Sequence, residues 1–299
     1  MKKCLFIINP TAGQHAIQQR LDVLIGKLIL KQIVNTIDVF YTTKKGDAFY
    51  EAKDTNESIY DFFIVVGGDG TLNEVISGMV ESKKKIPIAL LAAGTVNDFA
   101  RYLQLPLDID AICEMISNFK TIASDVGKIN NQYFINVAAG GMFSDVSFSV
   151  SKSDKKRFGP LAYYITGIAS LPSQLRTNIP LEITFNDERT IKEDAMLFII
   201  TNTKRVGGIE KITPYADIQD GLLDIIIIKK CSVTDLVALS KDYLLNKHID
   251  SPFIIYQQAK KIELSCPEDS VIVDIDGEKG SKLPVVIETI EKAISIIIP

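Results

Sequence analysis

Residues 64–76 read IVVGGDGTLNEVI. A run of β-branched residues stops at Gly67 and Gly68, and a helix-like stretch begins a few residues later. A strand that is apolar on both faces must be covered on both faces, as in a parallel sheet lying between helices. The same unit recurs through the first third of the chain. CLFIINP, NTIDVFYT, DFFIVVGG and IPIALLAAG read as strands. Between them, residues 15–31 carry Ile17, Leu21, Leu24, Ile25 and Leu28 at helical spacing, and TLNEVISGMV reads as a helix. GDAFYEAK and VNDFARYL each open another. This alternation predicts an α/β domain with a mainly parallel sheet.

The pattern changes near residue 125. From SDVGKINNQYFINVA onward, strand signals with Asn, Asp and Gly turns dominate, as in IPLEITFNDERTI, DAMLFIITN, GLLDIIIIKK, KKIELSC and DSVIVDIDGE. Helical stretches interrupt them around GPLAYYITGIASL and TDLVALSKDYLLN. This predicts a mainly antiparallel β domain with appended helices. The expected division is residues 1–125, residues 126–286, and a return of residues 287–299 to the first domain. A length of 299 residues with 46% hydrophobic content suits two globular domains.

The net charge of -4 argues against wholesale nucleic-acid binding. Cys4, Cys113, Cys231 and Cys266 are scattered, which suits a reducing cytoplasm and no structural zinc. The N-terminal apolar run, Cys4 to Ile8, is too short for a signal peptide. No stretch reaches the roughly 18 apolar residues that span a bilayer, so a membrane role would be peripheral.

Three glycine turns follow strands of the first domain: Asn9 to Gly13, Gly67 to Thr71, and Ala92 to Asp98. In an open α/β sheet the carboxyl ends of the strands line one edge, where ligands bind. A glycine turn leading into a helix offers backbone N–H groups and the positive end of the helix dipole, and both favour phosphate. The alternative is that Gly-Gly and Asp-Gly are simply turn residues. Neither the P-loop nor the dinucleotide fingerprint is present. Asp69 beside bound phosphates implies an intervening cation, and Mg²⁺ commonly pairs carboxylates with substrate phosphates. Asp98 is either a second acidic group there or a helix-dipole partner. Asp276-Gly277 reads as a hairpin turn. Glu278 after it either begins a solvated return strand or serves as a base.

Together NPTAG, GGDGTLNEV and GTVNDFAR resemble the catalytic domain of diacylglycerol and sphingosine kinases. VGGIEKITPYADIQDGLLDIIII and DIDGE are similar to the second domain of the soluble bacterial lipid kinases, so the resemblance covers nearly the whole chain. GGDGT alone is shared with NAD kinases and, in related form, with phosphofructokinases. Asn-Glu after GGDGTL and the Asn-Asp-Phe motif point to the lipid branch. The resemblance implies a first domain like those of NAD kinase and phosphofructokinase, ATP in the cleft between domains, and γ-phosphoryl transfer to a lipid hydroxyl, diacylglycerol first. It places ATP contacts on Asn9, Pro10, Thr11, Ala12, Gly13, Thr42, Gly67, Gly68, Asp69, Gly70, Thr71, Leu72, Asn73 and Thr95. It places the base on Glu278 and a Mg²⁺ site on Asp220, with carbonyls near Asp217 and Leu222. It also implies a cytoplasmic enzyme at the inner membrane surface and leaves room for a homodimer.

Competing readings are a sphingosine-like or phosphatidylglycerol acceptor, an NAD kinase, and a non-catalytic nucleotide sensor. Two positions depart from the family pattern. Gln14 stands where close relatives carry lysine, which makes Lys155 or Lys156 candidates for the missing cation. Ala92 and Ala93 stand where a proline is common. His15 and His248 have no nucleophile motif beside them and read as surface or loop residues. The basic run 151–159 is either a solvated loop or a contact for anionic headgroups, with Tyr163 and Tyr164 after it.

Overall fold

Runs of Ile, Val and Phe with glycine or asparagine at their ends become strands that begin in the core and end at its surface. In a computed structural model the described residues are 2–12, 16–142, 178–267 and 271–299. The helix expected around GPLAYYITGIASL, the basic run with Lys155 and Lys156, Tyr163, Tyr164, Gly13, Gln14 and His15 lie outside them. The chain divides into two compact units: residues 1–126 with 290–299, and residues 127–289.

In the first unit, β1 (Lys2–Ile8), β2 (Val34–Tyr41), β3 (Phe62–Gly67) and β4 (Ile88–Ala92) are parallel, in the spatial order β2-β1-β3-β4. Strand β17 (Val285–Ile298) adds its far end beside β4, parallel, with Ile296 opposite Ile88. Helix α1 (Ala16–Leu30) leads from β1 to β2, α2 (Asp47–Asp54) from β2 to β3 and α3 (Asp69–Glu81) from β3 to β4. Helices α4 (Asp98–Tyr102) and α5 (Ile109–Asn118) follow β4. Cys4, Phe6 and Ile8 pack with Leu21, Leu24 and Leu28 of α1 and with Ile112, Met115 and Ile116 of α5. Leu5 and Ile7 are equally buried, so β1 is covered on both faces. The chain leaves β1 toward β2 on one side and leaves β3 toward β4 on the other. That reversal between neighbouring strands marks the crevice where open α/β sheets take ligands.

Strand β5 (Lys120–Ile129) runs from the first unit into the second, where short β6 (Gln132–Phe134) and β7 (Val137–Gly141) follow. Long β9 (Arg189–Thr201) pairs antiparallel with β8 (Ile179–Phe185) along its first half and with β7 and β12 (Leu223–Lys229) along its second. Strands β10 (Arg205–Val206) and β11 (Ile209–Glu210) form a separate small hairpin. Helix α6 (Val233–Leu244) follows β12, and β13 (Ile254–Ala259) returns beside it. β14 (Lys261–Ser265) joins β8 to β17, and the hairpin β15 (Ile272–Ile275)–β16 (Glu278–Lys282) lies beside β7. β8 alternates buried and half-buried residues, whereas Leu223 to Ile227 in β12 are all buried. The expected antiparallel β domain with an appended helix at TDLVALSKDYLLN is therefore present. All four cysteines are free thiols. No described helix is long and apolar enough to cross a membrane.

Candidate functional site

The carboxyl edge of the first sheet is held level by hydrogen bonds between neighbouring strand ends. Asn9 N–H donates to Val66 (2.9 Å), Thr42 N–H to Ile8 (2.9 Å) and Ala93 N–H to Gly67 (2.8 Å). Asn9, Thr42, Gly67 and Ala93 therefore stand in one row. Across the crevice between β1 and β3, Asn9 Nδ2 donates to Thr71 Oγ1 at 3.0 Å. The same side chain accepts from Thr11 N–H (3.0 Å) and Thr11 Oγ1 (2.8 Å), which folds the NPTA turn over. Pro10 and Thr11 are exposed and Ala12 is half-buried.

The glycines of the central loop have different causes. A Cβ on Gly67 would lie 2.5 Å from Thr71 Cβ, and one on Gly94 would lie 2.6 Å from Gly68 Cα. At Gly67 the Thr71 side chain fills the space, and at Gly94 two loops touch backbone to backbone, so neither position admits a side chain. Gly70 is different: a Cβ there would meet nothing within 4 Å. Gly68 is the N-cap of α3 and supplies no capping side chain, so the first-turn N–H groups face the edge uncapped.

Asp69 was expected within the Gly67 to Thr71 turn, but it is the first residue of α3 and is half-buried. Its carboxylate reaches the start of α4, accepting from Asp98 N–H at 3.1 Å and Phe99 N–H at 3.3 Å. Burial pushes the Asp69 carboxyl above its ordinary value; the N–H groups of Asp98, Phe99 and Asn97 and the charge of Arg101 offset this only in part. Asp98 is buried at the first position of α4. Thr95 is exposed, and Asn97, in a left-handed conformation, closes this loop by donating to Gly94 O at 2.8 Å. Leu72 is core, and its N–H is used by Gly68 O (3.1 Å). Asn73 accepts from Ser77 Oγ at 2.8 Å.

Two residues outside the predicted ATP contacts shape the Thr42 side. Asp47 accepts from Thr43 N–H, Thr43 Oγ1 and Lys44 N–H, and the Thr43 bonds hold its carboxyl below the usual range. Glu74, the Glu of LNEV, accepts from Gly46 N–H at 2.9 Å. It ties α3 to the loop after β2.

In the second unit, Ile275 faces Glu278 across a two-residue turn, with Asp276 at φ 50° and Gly277 at φ 88°. Two left-handed residues are what the tight β-hairpin requires, and Asp-Gly supplies them. The Asp276 carboxylate accepts from Ile135 N–H (2.8 Å), Asn136 N–H (3.0 Å) and Val137 N–H (2.9 Å). Beneath that loop, Asn202 N–H donates to Asn136 O (2.9 Å), Asn202 Nδ2 to Ile135 O (3.1 Å) and Thr203 Oγ1 to Asn136 Oδ1 (3.3 Å). Glu278 is exposed at the start of β16.

The DIQDG loop before β12 is a pair of Asx turns. Gln219 N–H donates to Asp217 Oδ1 (3.0 Å) and Leu222 N–H to Asp220 Oδ1 (2.9 Å). Asp217 and Asp220 are exposed, and Gly221 has φ 75°. Both carboxylates act on buried Asp224, whose carboxyl is pushed up to about 7, chiefly by burial. Among the described residues no group of three or more His, Cys, Asp or Glu side chains is placed to hold a metal. A cation at this loop would draw on carbonyl oxygens as well.

A family model described as the diacylglycerol kinase catalytic domain matches residues 3–129. A second, described as the YegS C-terminal NAD kinase beta sandwich-like domain, matches residues 137–298. Diacylglycerol kinase of Staphylococcus epidermidis is 37% identical over 299 residues, covering 100% of this chain and 92% of that protein. The chain belongs to the diacylglycerol kinase family, a family of lipid kinases. The Bacillus subtilis diacylglycerol kinase is 33% identical over 300 residues, covering 100% of this chain and 97% of the relative. A solved diacylglycerol kinase from Bacillus anthracis, 28% identical, has a TM-score of 0.80 and covers 100% of this chain and 97% of its own. Yeast NADH kinase, 11% identical with a TM-score of 0.52 over 84% of its chain, shares the fold alone. As a kinase of this family the chain takes ATP as its phosphoryl donor.

His248 departs from the sequence reading. It is buried, with Nε2 2.9 Å from Ile212 O and its ring edge-on to Tyr243. Packing explains it without chemistry.

Proposed function

We propose that this kinase phosphorylates the free hydroxyl of diacylglycerol in a membrane leaflet, giving phosphatidate. The acceptor oxygen bonds to the γ-phosphorus, the bond to the β,γ-bridging oxygen breaks, ADP leaves and the hydroxyl proton goes to Glu278. Gly70 is the observation that supports nucleotide binding at the loop most directly. Packing forces Gly67 and Gly94, and a Cβ on Gly68 would crowd Gly94 Cα at 3.1 Å. No described residue requires glycine at 70, and a small residue there leaves room for a phosphate against the α3 N–H groups.

Asn9, Pro10, Thr11, Ala12, Thr42, Thr71, Asn73 and Thr95 frame the nucleotide on the same row. Leu72 contributes only backbone, since its side chain is core. Glu278 is exposed on a hairpin that Asp276 ties to the 135–137 loop, which suits a base that must meet an incoming hydroxyl.

The residues fit Mg²⁺ at two places. Asp69 is a half-buried carboxylate whose charge is only partly compensated, and the 217–222 loop offers hard oxygen donors next to Asp224. Bound beside ATP, Mg²⁺ would neutralise charge on the transferred group. At the loop, Asp220 with carbonyls near Asp217 and Leu222 would order the second unit.

Radiolabelled ATP with the full chain, Mg²⁺ and a panel of lipids in mixed micelles, with NAD included, tests the reading. Label in phosphatidate is expected. Label in NADP, or in no lipid, overturns it.

A further inference from the structure

Helix α6 of the second unit is apolar where a surface helix should be polar. Leu236 and Leu239 are buried, so the core-facing stripe is accounted for. On a helical wheel, Val233, Thr234, Val237, Ala238, Lys241 and Leu244, with Leu245 just beyond the helix, fall within an arc of roughly 140° on the opposite side. All seven are exposed. Val233, Val237, Leu244 and Leu245 keep 39, 43, 61 and 65% of their surface open. The single charge on that arc is Lys241. Asp235 and Asp242 lie on the flank, and Asp235 is engaged in the capping box with Ser232, accepting from its Oγ at 2.6 Å and its N–H at 2.9 Å. Exposed Lys230 stands before the helix and exposed Lys247 after it.

We infer that this face of α6 lies on an anionic lipid surface. An isolated aliphatic residue on a surface needs no explanation, but four on one arc without a carboxylate do. An interfacial helix buries aliphatic side chains among acyl chains and presents lysines to anionic headgroups. Lys241 within the patch, with Lys230 before the helix and Lys247 after it, supplies the positive charge that such headgroups would require, each contributing about fivefold to partitioning. Lysine stems also reach past an apolar surface to the headgroup level. The inference deepens the membrane-lipid reading above and rests on it: an acceptor held in a leaflet must be met at the leaflet.

The full chain is tested by co-sedimentation with vesicles of phosphatidylcholine alone and of phosphatidylcholine mixed with phosphatidylglycerol. The wild type should partition onto the anionic vesicles and dissociate with added salt. The double variant Val237→Glu, Leu244→Glu should lose at least about tenfold in partitioning, and Lys241→Gln about fivefold. Both variants should keep the wild-type melting temperature and the wild-type rate on a dispersed short-chain diacylglycerol. Equal sedimentation of wild type and double variant overturns the inference, as does equal binding to neutral and anionic vesicles. A wild-type dimer that the double variant splits would assign the face to a second copy and overturn it too. The dispersed-acceptor assay uses no vesicles. Failure of the wild type there strikes the kinase reading and leaves the vesicle result to be judged separately.

Discussion

Asp69 and Asp276 are both aspartates beside glycine just past a strand end, one opening a helix and the other turning a hairpin, and the two units use them differently. Asp276 accepts three backbone N–H groups at 2.8, 3.0 and 2.9 Å. Asp69 draws on the N–H groups at the start of α4, those of Asp98 and Phe99 at 3.1 and 3.3 Å with that of Asn97 beside them, and burial still lifts its carboxyl above the ordinary value. Charge-assisted bonds are worth most when short and several. Asp276 is therefore a fastener whose charge is matched by the fold. Asp69 carries a charge that the fold alone does not match, and such residues cluster at functional sites. The residue type and its glycine neighbour are the same, so the difference lies in which distant backbone reaches the carboxylate.

The largest effect is expected at Asp69. Asp69→Asn should nearly abolish turnover, and its stability relative to the wild type should depend on pH. The sign follows from linkage. With the folded value above the unfolded 3.8, the native state holds the proton more tightly, and wild-type stability falls as pH rises from the unfolded value through the folded one. Asparagine has no such loss. The stability difference should therefore move in the variant's favour across that window and be flat above it. Urea denaturation over a pH series measures this; a difference moving the other way would make Asp69 a fastener like Asp276.

Next is Glu278, two residues from Asp276 and on the exposed side of the hairpin. Glu278→Gln should cut kcat by about 10²–10⁴-fold, the usual worth of a positioned base, and leave the melting temperature unchanged. Near-wild-type kcat at saturating lipid and ATP would remove it as the base. Asp276→Asn inverts that profile. Its Nδ2 would face N–H groups that now donate to a carboxylate, and the loss should be about 3 kcal/mol. At the scale of this chain that is a fall of roughly 6–12 °C in Tm. An unchanged melting curve would mean that the 135–137 loop holds itself.

The architecture was legible because it rests on local patterns. Both-face apolar runs marked β1, β3 and β4, and Asp-Gly marked the β15–β16 turn. What escaped was long-range. The bond from Asn136 N–H to Asp276 spans 140 residues and the one from Asp98 N–H to Asp69 spans 29, and no periodicity encodes either. Glu74 was visible only as part of LNEV; its partner, Gly46, lies 28 residues earlier. His248 looked like a loop residue because nothing nearby foretold its packing against Tyr243.

The smallest effect separates glycines that the fold requires from one that it does not. Gly94→Ala puts a methyl 2.6 Å from Gly68 Cα and 2.7 Å from Asn97 Oδ1, so two loop backbones must part. Gly70→Ala puts a methyl into open space in the first turn of α3. Alanine there should raise stability by about 0.5 kcal/mol, less than the full helix-interior difference between the two residues. If the space is kept for the nucleotide, the same methyl meets a phosphate. KM for ATP should then rise several-fold while the melting temperature rises slightly, and these opposite changes are the signature of a residue retained for its ligand. Steady-state kinetics on Gly70→Ala beside its melting curve decides the matter: an unchanged KM for ATP would mean that the nucleotide does not approach the loop at this residue.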